Sequence, residues 1–244
     1  MKNTLVIIPT YNEKDNVASM IEAVMSLGEK FDLLIIDDGS PDGTAQIVKD
    51  HQSKFQDRIH MIEREGKLGL GTAYIRGFEW ALEKTYIKIC EMDCDFSHSP
   101  SDLPRLCEAV DQGADVAVGS RYVDGGGVYN WPKRRILLSR GASLYAGLVT
   151  GIPVKDTTAG FVCYSRNFLE KLNFEKIVFK GYAFQIQMKY AAYLLGFKIV
   201  EVPIFFKDRE EGVSKMSGNI ITEAIFGILK LRFDSSKEDY ARSK

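Results

Sequence analysis

Long apolar runs are missing from this sequence. None of its 244 residues belongs to an uninterrupted apolar stretch of about 18, the length that a membrane-spanning helix requires. An excess of charge is missing too, because 32 basic and 33 acidic residues leave a formal net charge of −1. A chain so balanced has no overall basic field to attract a polyanion. We therefore expect no membrane span and no nucleic-acid partner.

Cysteine and histidine are scarce, with 4 and 3 residues. The first apolar run, residues 4–9, is too short for a signal-peptide core, so we expect it to be a strand and the cysteines to be reduced in a cytoplasmic protein. Cys90, Cys94 and His98 suggest zinc, but residues 90 and 94 of a strand lie about 13 Å apart. Since zinc ligands must converge on one ion, we expect the cysteines to be small buried apolar residues instead.

Short apolar runs alternate with segments of helical periodicity in the first half of the chain. The expected strands are residues 4–9, 31–38, 58–63, 86–93 and 114–120, and the expected helices are residues 16–27, 43–55, 71–84 and 101–113. This alternation, with short connections, predicts an α/β fold with a mostly parallel central sheet and helices on both faces.

The second half of the sequence is less regular. Its expected elements are helices at residues 136–151, 182–196 and 217–233 and a strand at residues 197–206. Because no linker separates the two halves, we predict a single domain over residues 1–233 with a C-terminal helical elaboration. Residues 234–244 are expected to form a polar C-terminal tail.

Carboxylates follow three of the expected strands. The first strand ends in PTYNE (9–13), the second in DDGSPDG (37–43) and the fourth in MDCDFSH (92–98). Ligands of open α/β sheets bind beyond the carboxyl ends of the strands, and oxygen donors suit Mg²⁺ or Mn²⁺. A lone Asp-x-Asp is more often a helix cap or a solvated pair. Carboxylates at three neighbouring strand ends repel one another unless a cation or a polar ligand lies among them. A nucleotide with a divalent metal ion meets that need.

The same motifs, together with GKLGLGTAYIRGF (66–78), resemble glycosyltransferase family 2, whose members have the nucleotide-diphospho-sugar transferase (GT-A) fold. Residues 119–142, 181–188 and 201–215 narrow the resemblance to the polyprenol (dolichol) phosphate mannosyltransferases. The similarity extends from Thr4 to about Leu231. It implies GDP-mannose as the donor, a polyprenyl monophosphate as the acceptor and Mg²⁺ or Mn²⁺ as the cofactor.

The resemblance also assigns roles to individual residues. Asp93 and Asp95 are the expected metal ligands. The expected nucleotide-sugar-binding residues are Pro9, Tyr11, Glu13, Ile36, Asp38, Asp93, Cys94, Asp95, Arg121, Arg209 and Lys215. The expected catalytic residues are Asp95, Arg121, Arg209 and Lys215, and we add Arg135 because it is one of the cations that flank the glycine-rich loop before residue 136. A phosphate monoester is already largely a dianion at neutral pH, so such an acceptor needs positioning by cations rather than a general base. A single displacement then predicts inversion at the anomeric carbon.

The sequence departs from the family pattern at four places. Ser97 stands where some relatives have a glutamine that can join the metal shell, and Cys94 stands where alanine is usual. GFVCY (160–164) lacks an arginine that often follows its phenylalanine, and Gln187 stands where glutamate is common. The last two departures bear on the electrostatics of the acceptor side.

Two alternatives to this function stay open. One is a related lipid-phosphate transferase with another donor, such as UDP-glucose. The other is a non-catalytic sugar-nucleotide-binding subunit. The two metal aspartates and the basic pair Arg209 and Lys215 are intact, which favours an active enzyme.

A polyprenyl acceptor cannot leave the bilayer, so we expect a peripheral protein at the cytoplasmic face of a membrane. The helices at residues 136–151 and 217–233 are the candidates for docking. In the second helix the expected apolar face consists of Ile220, Ile221, Ala224, Ile225, Ile228, Leu229 and Leu231, with Lys230 and Arg232 nearby. The alternatives are that both helices pack on the core, or that a small membrane subunit recruits the enzyme.

Overall fold

The computed structural model describes residues 4–181, 183–208 and 218–242, and the side chains of all of these except residues 218–225. Across these ranges no helix is both long enough and apolar enough to cross a bilayer.

A central sheet and a small second sheet contain the strands of the described chain. These are β1 (Thr4–Thr10), β2 (Phe31–Asp37), β3 (Ile59–Glu63), β4 (Lys88–Glu91), β5 (Val116–Ser120), β6 (Gly127–Tyr129), β7 (Val162–Ser165), β8 (Ile199–Pro203) and β9 (Phe205–Lys207). The central sheet has the order β3-β2-β1-β4-β7-β5-β8, and β6 pairs with β9 in the second sheet. In the central sheet β7 runs antiparallel to both neighbours, while the other pairs are parallel. The prediction of a mostly parallel sheet is confirmed.

Helices cover both faces of the central sheet, as expected. They are α1 (Val17–Met25), α2 (Thr44–Lys54), α3 (Leu70–Leu82), α4 (Leu103–Asp111), α5 (Lys133–Thr150), α6 (Arg166–Lys171), α7 (Ala183–Leu194), α8 (Gly218–Asp234) and α9 (Lys237–Tyr240). Side chains of α1, α2 and α4 pack on one face of the sheet, and side chains of α3, α5, α6 and α7 pack on the other. Since successive strand residues point to opposite faces, β1 is buried from both sides, with Leu5 and Ile7 in one core layer and Val6 and Ile8 in the other.

Several strands differ from the sequence prediction, among them β6, where the sequence pattern predicts no strand. β4 ends at Glu91 instead of residue 93, which leaves the two candidate metal aspartates in the following loop. The strand expected at residues 197–206 divides into β8 and β9, because β8 follows β5 only as far as Pro203 and the chain then turns to pair with β6. The sequence pattern does not predict β7, since a strand of four residues is too short to show a periodicity.

The polar segment after residue 233 packs on the domain as far as the structure describes it. Ser236 and Asp239 form a reciprocal cap at the start of α9. Tyr240 is buried, and its hydroxyl accepts a hydrogen bond of 3.1 Å from the side-chain amide of Gln187. Ala241 pairs with Leu172 in an isolated antiparallel bridge. Through Tyr240, the described part of the C-terminal segment therefore contributes to the core.

Candidate active site

The strand register brings the acidic strand ends to one edge of the sheet. Pro9 of β1 lies opposite Ile36 of β2, and Ile7 of β1 lies opposite Glu91 at the end of β4. Residues 9–13, 37–38 and 93–97, here called the carboxyl edge, therefore follow neighbouring strands. Ile36 is fully buried in the core, so only its backbone can face a ligand at this edge.

The two aspartates at the end of β2 are held by groups within the protein. Asp37 accepts hydrogen bonds from the Thr10 hydroxyl at 2.9 Å and from the Ser40 backbone N–H at 2.8 Å. Asp38 forms an ion pair with Arg64, at 2.7 Å from Nε and 2.6 Å from Nη2. Burial raises the pKa of the Asp38 carboxyl, although the hydrogen bonds and charge of Arg64 oppose this. At the end of β2 the protein itself therefore supplies a cation, Arg64, among the clustered carboxylates.

The segment after β1 presents an aromatic ring and a cation. The ammonium group of Lys67 lies 5.0 Å from the centroid of the half-buried Tyr11 ring. The backbone N–H of Glu13 donates a 3.0 Å hydrogen bond to the Thr44 hydroxyl, and the Glu13 carboxylate accepts one of the same length from the Asn16 amide. These contacts fix the loop beside Tyr11, so the sequence-predicted Tyr11 and Glu13 lie on the same edge as Asp38.

The loop after β4 gathers oxygen donors. The Asp93 side chain is 35% exposed, whereas Asp95 and Ser97 are buried. Asp95 accepts a 3.0 Å hydrogen bond from the Ser97 backbone N–H. The Ser97 hydroxyl oxygen is buried and has no hydrogen-bond partner within the described part of the chain. Two carboxylates and this hydroxyl form a donor set of hard oxygens, which fits Mg²⁺ or Mn²⁺ with water and substrate oxygens completing the shell.

The zinc alternative from the sequence does not hold. His98 is buried, and its Nδ1 accepts a 3.3 Å hydrogen bond from the Asp93 backbone N–H. Cys90 lies in the core layer under α4, where its sulfur is 3.9 Å from that of Cys107. Cys94 is buried in the same layer. All four cysteines are free and buried, as expected for small apolar side chains.

Arg121, which follows β5, is the centre of a buried ion pair that the sequence did not predict. Its Nε and Nη2 lie 2.7 Å and 2.6 Å from the two carboxylate oxygens of Asp156, and its backbone N–H donates to the same group. Burial favours the neutral form of Arg121, but hydrogen bonding and charge attraction from Asp156 outweigh it and raise the arginine pKa. Arg121 is therefore held rigidly, with 8% of its surface exposed.

Arg135 lies near the start of α5 and is more accessible. It forms an ion pair of 2.6 Å with Asp208, and its side chain is 36% exposed. Its guanidinium lies 3.9 Å from the centroid of the Trp131 ring, a cation–π distance. The indole N–H of Trp131 is buried and lacks a hydrogen-bond acceptor among the residues described. We call Arg121, Trp131, Arg135, Phe206 and Asp208 the arginine flank.

Phe206 of β9 joins the arginine flank to the loop after β4. Its ring centroid lies 5.2 Å from that of Trp131 and 5.2 Å from that of His98. The backbone N–H of Lys207 donates a 3.3 Å hydrogen bond to the Ser97 carbonyl. β9 thus links the arginine flank to the loop after β4. Arg209 and Lys215, both expected at this site, lie outside the described residues.

A buried polar network lies behind the loop after β4. Glu91 accepts a 2.8 Å hydrogen bond from Gln185 of α7, and Lys189 of the same helix donates one of 2.7 Å to the Ala159 carbonyl. Burial raises the pKa of the Glu91 carboxyl and lowers that of the Lys189 ammonium. This network connects β4 with the loop between Asp156 and β7.

Gln187, a departure from the family pattern, belongs to the core. Its amide nitrogen donates a 2.8 Å hydrogen bond to the Lys176 carbonyl, and its oxygen accepts from the backbone N–H groups of Val178 and Phe179. An ionised glutamate could not donate to that carbonyl. The effect of this departure is therefore on packing under α9, and not on acceptor electrostatics as the sequence suggested.

Comparison with known proteins identifies the family of this chain. Residues 5–173 match the Glycosyl transferase family 2. This chain belongs to glycosyltransferase family 2. It is 48% identical over 227 residues to the polyprenol monophosphomannose synthase of Mycolicibacterium smegmatis. This alignment covers 93% of this chain and 86% of that protein. It is also 43% identical over 226 residues to the undecaprenyl-phosphate mannosyltransferase of Micrococcus luteus, in an alignment that covers 93% of this chain and 92% of that protein.

Solved structures confirm the fold of this family 2 glycosyltransferase. One of them is the glucosyl-3-phosphoglycerate synthase of Mycobacterium tuberculosis, crystallised with Mn²⁺, UDP and phosphoglyceric acid. The match covers 95% of this chain and 78% of the synthase chain. The TM-score is 0.68 at 18% sequence identity. A match at this identity establishes the GT-A fold that the sequence motifs implied, and nothing about substrates.

Proposed function

We propose that this glycosyltransferase transfers mannose from GDP-mannose to a polyprenyl monophosphate, with a divalent metal ion and with inversion at the anomeric carbon. The observation that carries the proposal is that the Phe206 ring packs against His98, which directly follows the Asp93–Ser97 loop, and also lies 5.5 Å from the guanidinium of Arg121 in the arginine flank. A site for a metal-bound diphosphate thereby adjoins a site for a second phosphate. The names of the two curated relatives support mannose and a polyprenyl phosphate as the substrates.

The carboxyl edge would bind the donor. Asp93, Asp95 and the Ser97 hydroxyl would hold Mg²⁺ or Mn²⁺, which stabilises the charge that develops on the leaving diphosphate. Tyr11 offers an aromatic face, and Lys67 adds a cation beside it. Asp38, oriented by Arg64, offers a carboxylate oxygen to the hydroxyl or amino groups of the nucleoside.

The arginine flank would bind the acceptor phosphate. Arg135 is accessible to a ligand and exchanges part of its contact with Asp208 for a phosphate oxygen, while the unpaired N–H of Trp131 supplies a neutral donor. Arg121 is fixed by its ion pair with Asp156 and contributes positive charge from its buried position. A dianionic phosphate held in this way attacks the anomeric carbon directly, so no covalent intermediate on the protein is required.

The membrane would be reached through α5, the helix that begins beside Arg135. Leu137, Leu144 and Leu148 of α5 are 75%, 64% and 76% exposed and lie on one face, at helical spacings of seven and four. Lys133, Arg134 and Arg140 are exposed on the same helix. We call the three leucines the α5 stripe. Exposed leucines among cations are typical of a helix lying in an anionic membrane surface.

The docking face predicted for α8 needs correction. Ile228 and Leu231, both assigned to that face, are buried against the core, while Phe226 and Phe233 of the same helix are 67% and 80% exposed. The side chains of Ile220, Ile221, Ala224 and Ile225 lie outside the description. Among the described side chains of α8, the two phenylalanines are the large apolar ones that are exposed, and the α5 stripe is the better supported surface.

The test is transfer of labelled sugar to a polyprenyl phosphate in detergent, with GDP-mannose, UDP-glucose and UDP-N-acetylglucosamine as separate donors, each with Mn²⁺ and with EDTA. Labelled lipid from GDP-mannose only, and only with metal, is expected. Labelled lipid from UDP-glucose would support the alternative donor. If no donor gives product while GDP and Mn²⁺ still raise the melting temperature, the chain is a non-catalytic nucleotide-binding subunit.

A further inference from the structure

Three buried cysteines meet between the central sheet and α4, away from the carboxyl edge. Cys90 of β4 lies directly opposite Cys163 of β7 in the antiparallel ladder, and Cys107 of α4 covers them. Their sulfur atoms all lie within 4.8 Å of one another, and those of Cys90 and Cys107 are 3.9 Å apart. Cys90 and Cys163 have no exposed surface, and Cys107 is 5% exposed. We call these residues the thiol cluster.

The spacing of the thiol cluster suits three-coordinate metal binding. Three sulfur ligands arranged in a plane at about 2.3 Å from one ion are about 4.0 Å from one another. The Cys90–Cys107 separation of 3.9 Å already agrees with that value. Two of the ligands come from paired strands and the third from the helix packed on them, so an ion can be accommodated by small side-chain rotations.

The chemistry of the thiol cluster differs from that of the carboxyl edge. Its donors are sulfur atoms in an apolar layer that includes Leu106 and Ala117. Soft thiolate ligands select Cu(I) and other thiophilic ions, whereas the hard oxygens of Asp93 and Asp95 select Mg²⁺ or Mn²⁺. The two places therefore do not compete for the same ion.

We propose that Cys90, Cys107 and Cys163 form a binding site for one soft thiophilic ion of the Cu(I) or Cd(II) type. Each thiol that ligates the ion loses its proton to solvent, and no oxidant or reductant is consumed. Cys107, the member with some exposed surface, lies where an ion would enter. A bound ion would join β4, β7 and α4 and so stabilise the folded chain.

The test is a titration of the reduced, metal-free full chain with Cd²⁺, followed by the ultraviolet charge-transfer band of cadmium thiolates. We expect saturation at a single ion per chain and a rise in melting temperature. Cys107→Ala and Cys163→Ala should each lose the band. Cys94→Ala is the matched control, because Cys94 is also buried but lies outside the cluster, and it should keep the band. Circular dichroism identifies any variant that fails to fold.

A second measurement needs no variant. X-ray absorption at the cadmium edge of the wild-type complex should show three sulfur neighbours. An oxygen-only shell would place the ion at the carboxyl edge and overturn the proposal. Absence of a charge-transfer band with folded wild-type protein, or an equal band in folded Cys107→Ala, would overturn it as well and leave the cysteines as packing residues. None of these outcomes depends on the proposed transferase activity.

Discussion

The carboxyl edge and the arginine flank are assembled differently. Side chains of the carboxyl edge follow the ends of three neighbouring parallel strands, so the backbone ladder positions them. In the flank, Arg121 follows β5, Trp131 precedes α5, Arg135 lies in the first turn of α5, and Phe206 lies in β9. Its residues are distant in sequence, as in the ion pair of Arg135 with Asp208, which spans 73 positions. Side-chain pairs, and not a strand ladder, hold the flank in place.

This difference predicts that single substitutions act differently on the two regions. A substitution at the carboxyl edge should lower the transferase activity and leave the fold intact, because the strands that position the edge remain. A substitution in the flank should alter either the fold or the acceptor, depending on which ion pair it breaks.

Asp95→Ala should have the largest effect. Loss of this oxygen donor removes stabilisation of the leaving diphosphate, and we expect mannosyl transfer to fall by about 100- to 1,000-fold. The melting temperature without ligand should stay close to that of the wild type. Asp50→Asn, an exposed carboxylate on α2, is the control and should retain full activity. Undiminished transfer by Asp95→Ala, or by the wild type in EDTA, would refute the metal role.

Asp156→Asn and Asp208→Asn form a matched pair within the flank. Asp156 is fully buried against Arg121, so its neutralisation leaves a buried charge unpaired and should lower the free energy of unfolding by about 3 kcal/mol. Asp208 pairs with Arg135 where both side chains are about one third exposed, and its neutralisation should cost less than about 1 kcal/mol. Urea unfolding of the two variants measures this difference. Equal losses would show that both ion pairs stabilise the fold to the same degree.

The α5 stripe extends the flank toward the membrane. Leu144→Ser combined with Leu148→Ser should reduce binding to anionic vesicles by about 30-fold, since each leucine loses roughly 1 kcal/mol of apolar burial. Ile87→Ser is the control, because Ile87 is 47% exposed but precedes β4 at the opposite edge of the sheet. Flotation with vesicles at low salt is the measurement. If wild type and variant float equally, docking uses another surface, and if neither floats, it depends on a partner subunit.

Trp131→Phe should have a smaller and more selective effect. Phenylalanine keeps a ring under the Arg135 guanidinium and removes the indole N–H, so the KM for polyprenyl phosphate should rise about tenfold. The KM for GDP-mannose should not change. Initial rates at varied acceptor concentration provide the measurement. An unchanged acceptor KM would mean that the unpaired N–H does not contact the phosphate.

The contrast between the two regions also explains which features the sequence could predict. β1 and β2 each contain an apolar run and are followed by acidic or polar residues, so both the strands and the carboxyl edge were recognisable locally. The pairing of Arg121 with Asp156, 35 positions away, and of Asp38 with Arg64, 26 positions away, left no local signal. Such contacts depend on tertiary packing between elements that the sequence pattern does not order.

The error in α8 has a related cause. An apolar stripe at helical spacing looks the same whether it faces a protein core or a bilayer. The structure assigns Ile228 and Leu231 to the core and leaves Phe226 exposed. Likewise β7 contains only four residues, and its antiparallel position between β4 and β5 could not be inferred from the alternation of strands and helices around it.

The proposed function requires that the donor and the acceptor bind to separate parts of the site. Calorimetric titration of GDP with Mn²⁺ into Arg135→Gln and into the wild type tests it most directly. Glutamine can still donate to Asp208 but carries no charge for a phosphate. We predict the same Kd for GDP in both proteins, with transfer to polyprenyl phosphate reduced by roughly 30-fold, equivalent to about 2 kcal/mol, in the variant. A GDP affinity that falls in parallel with transfer would contradict the account, because Arg135 would then belong to the donor site.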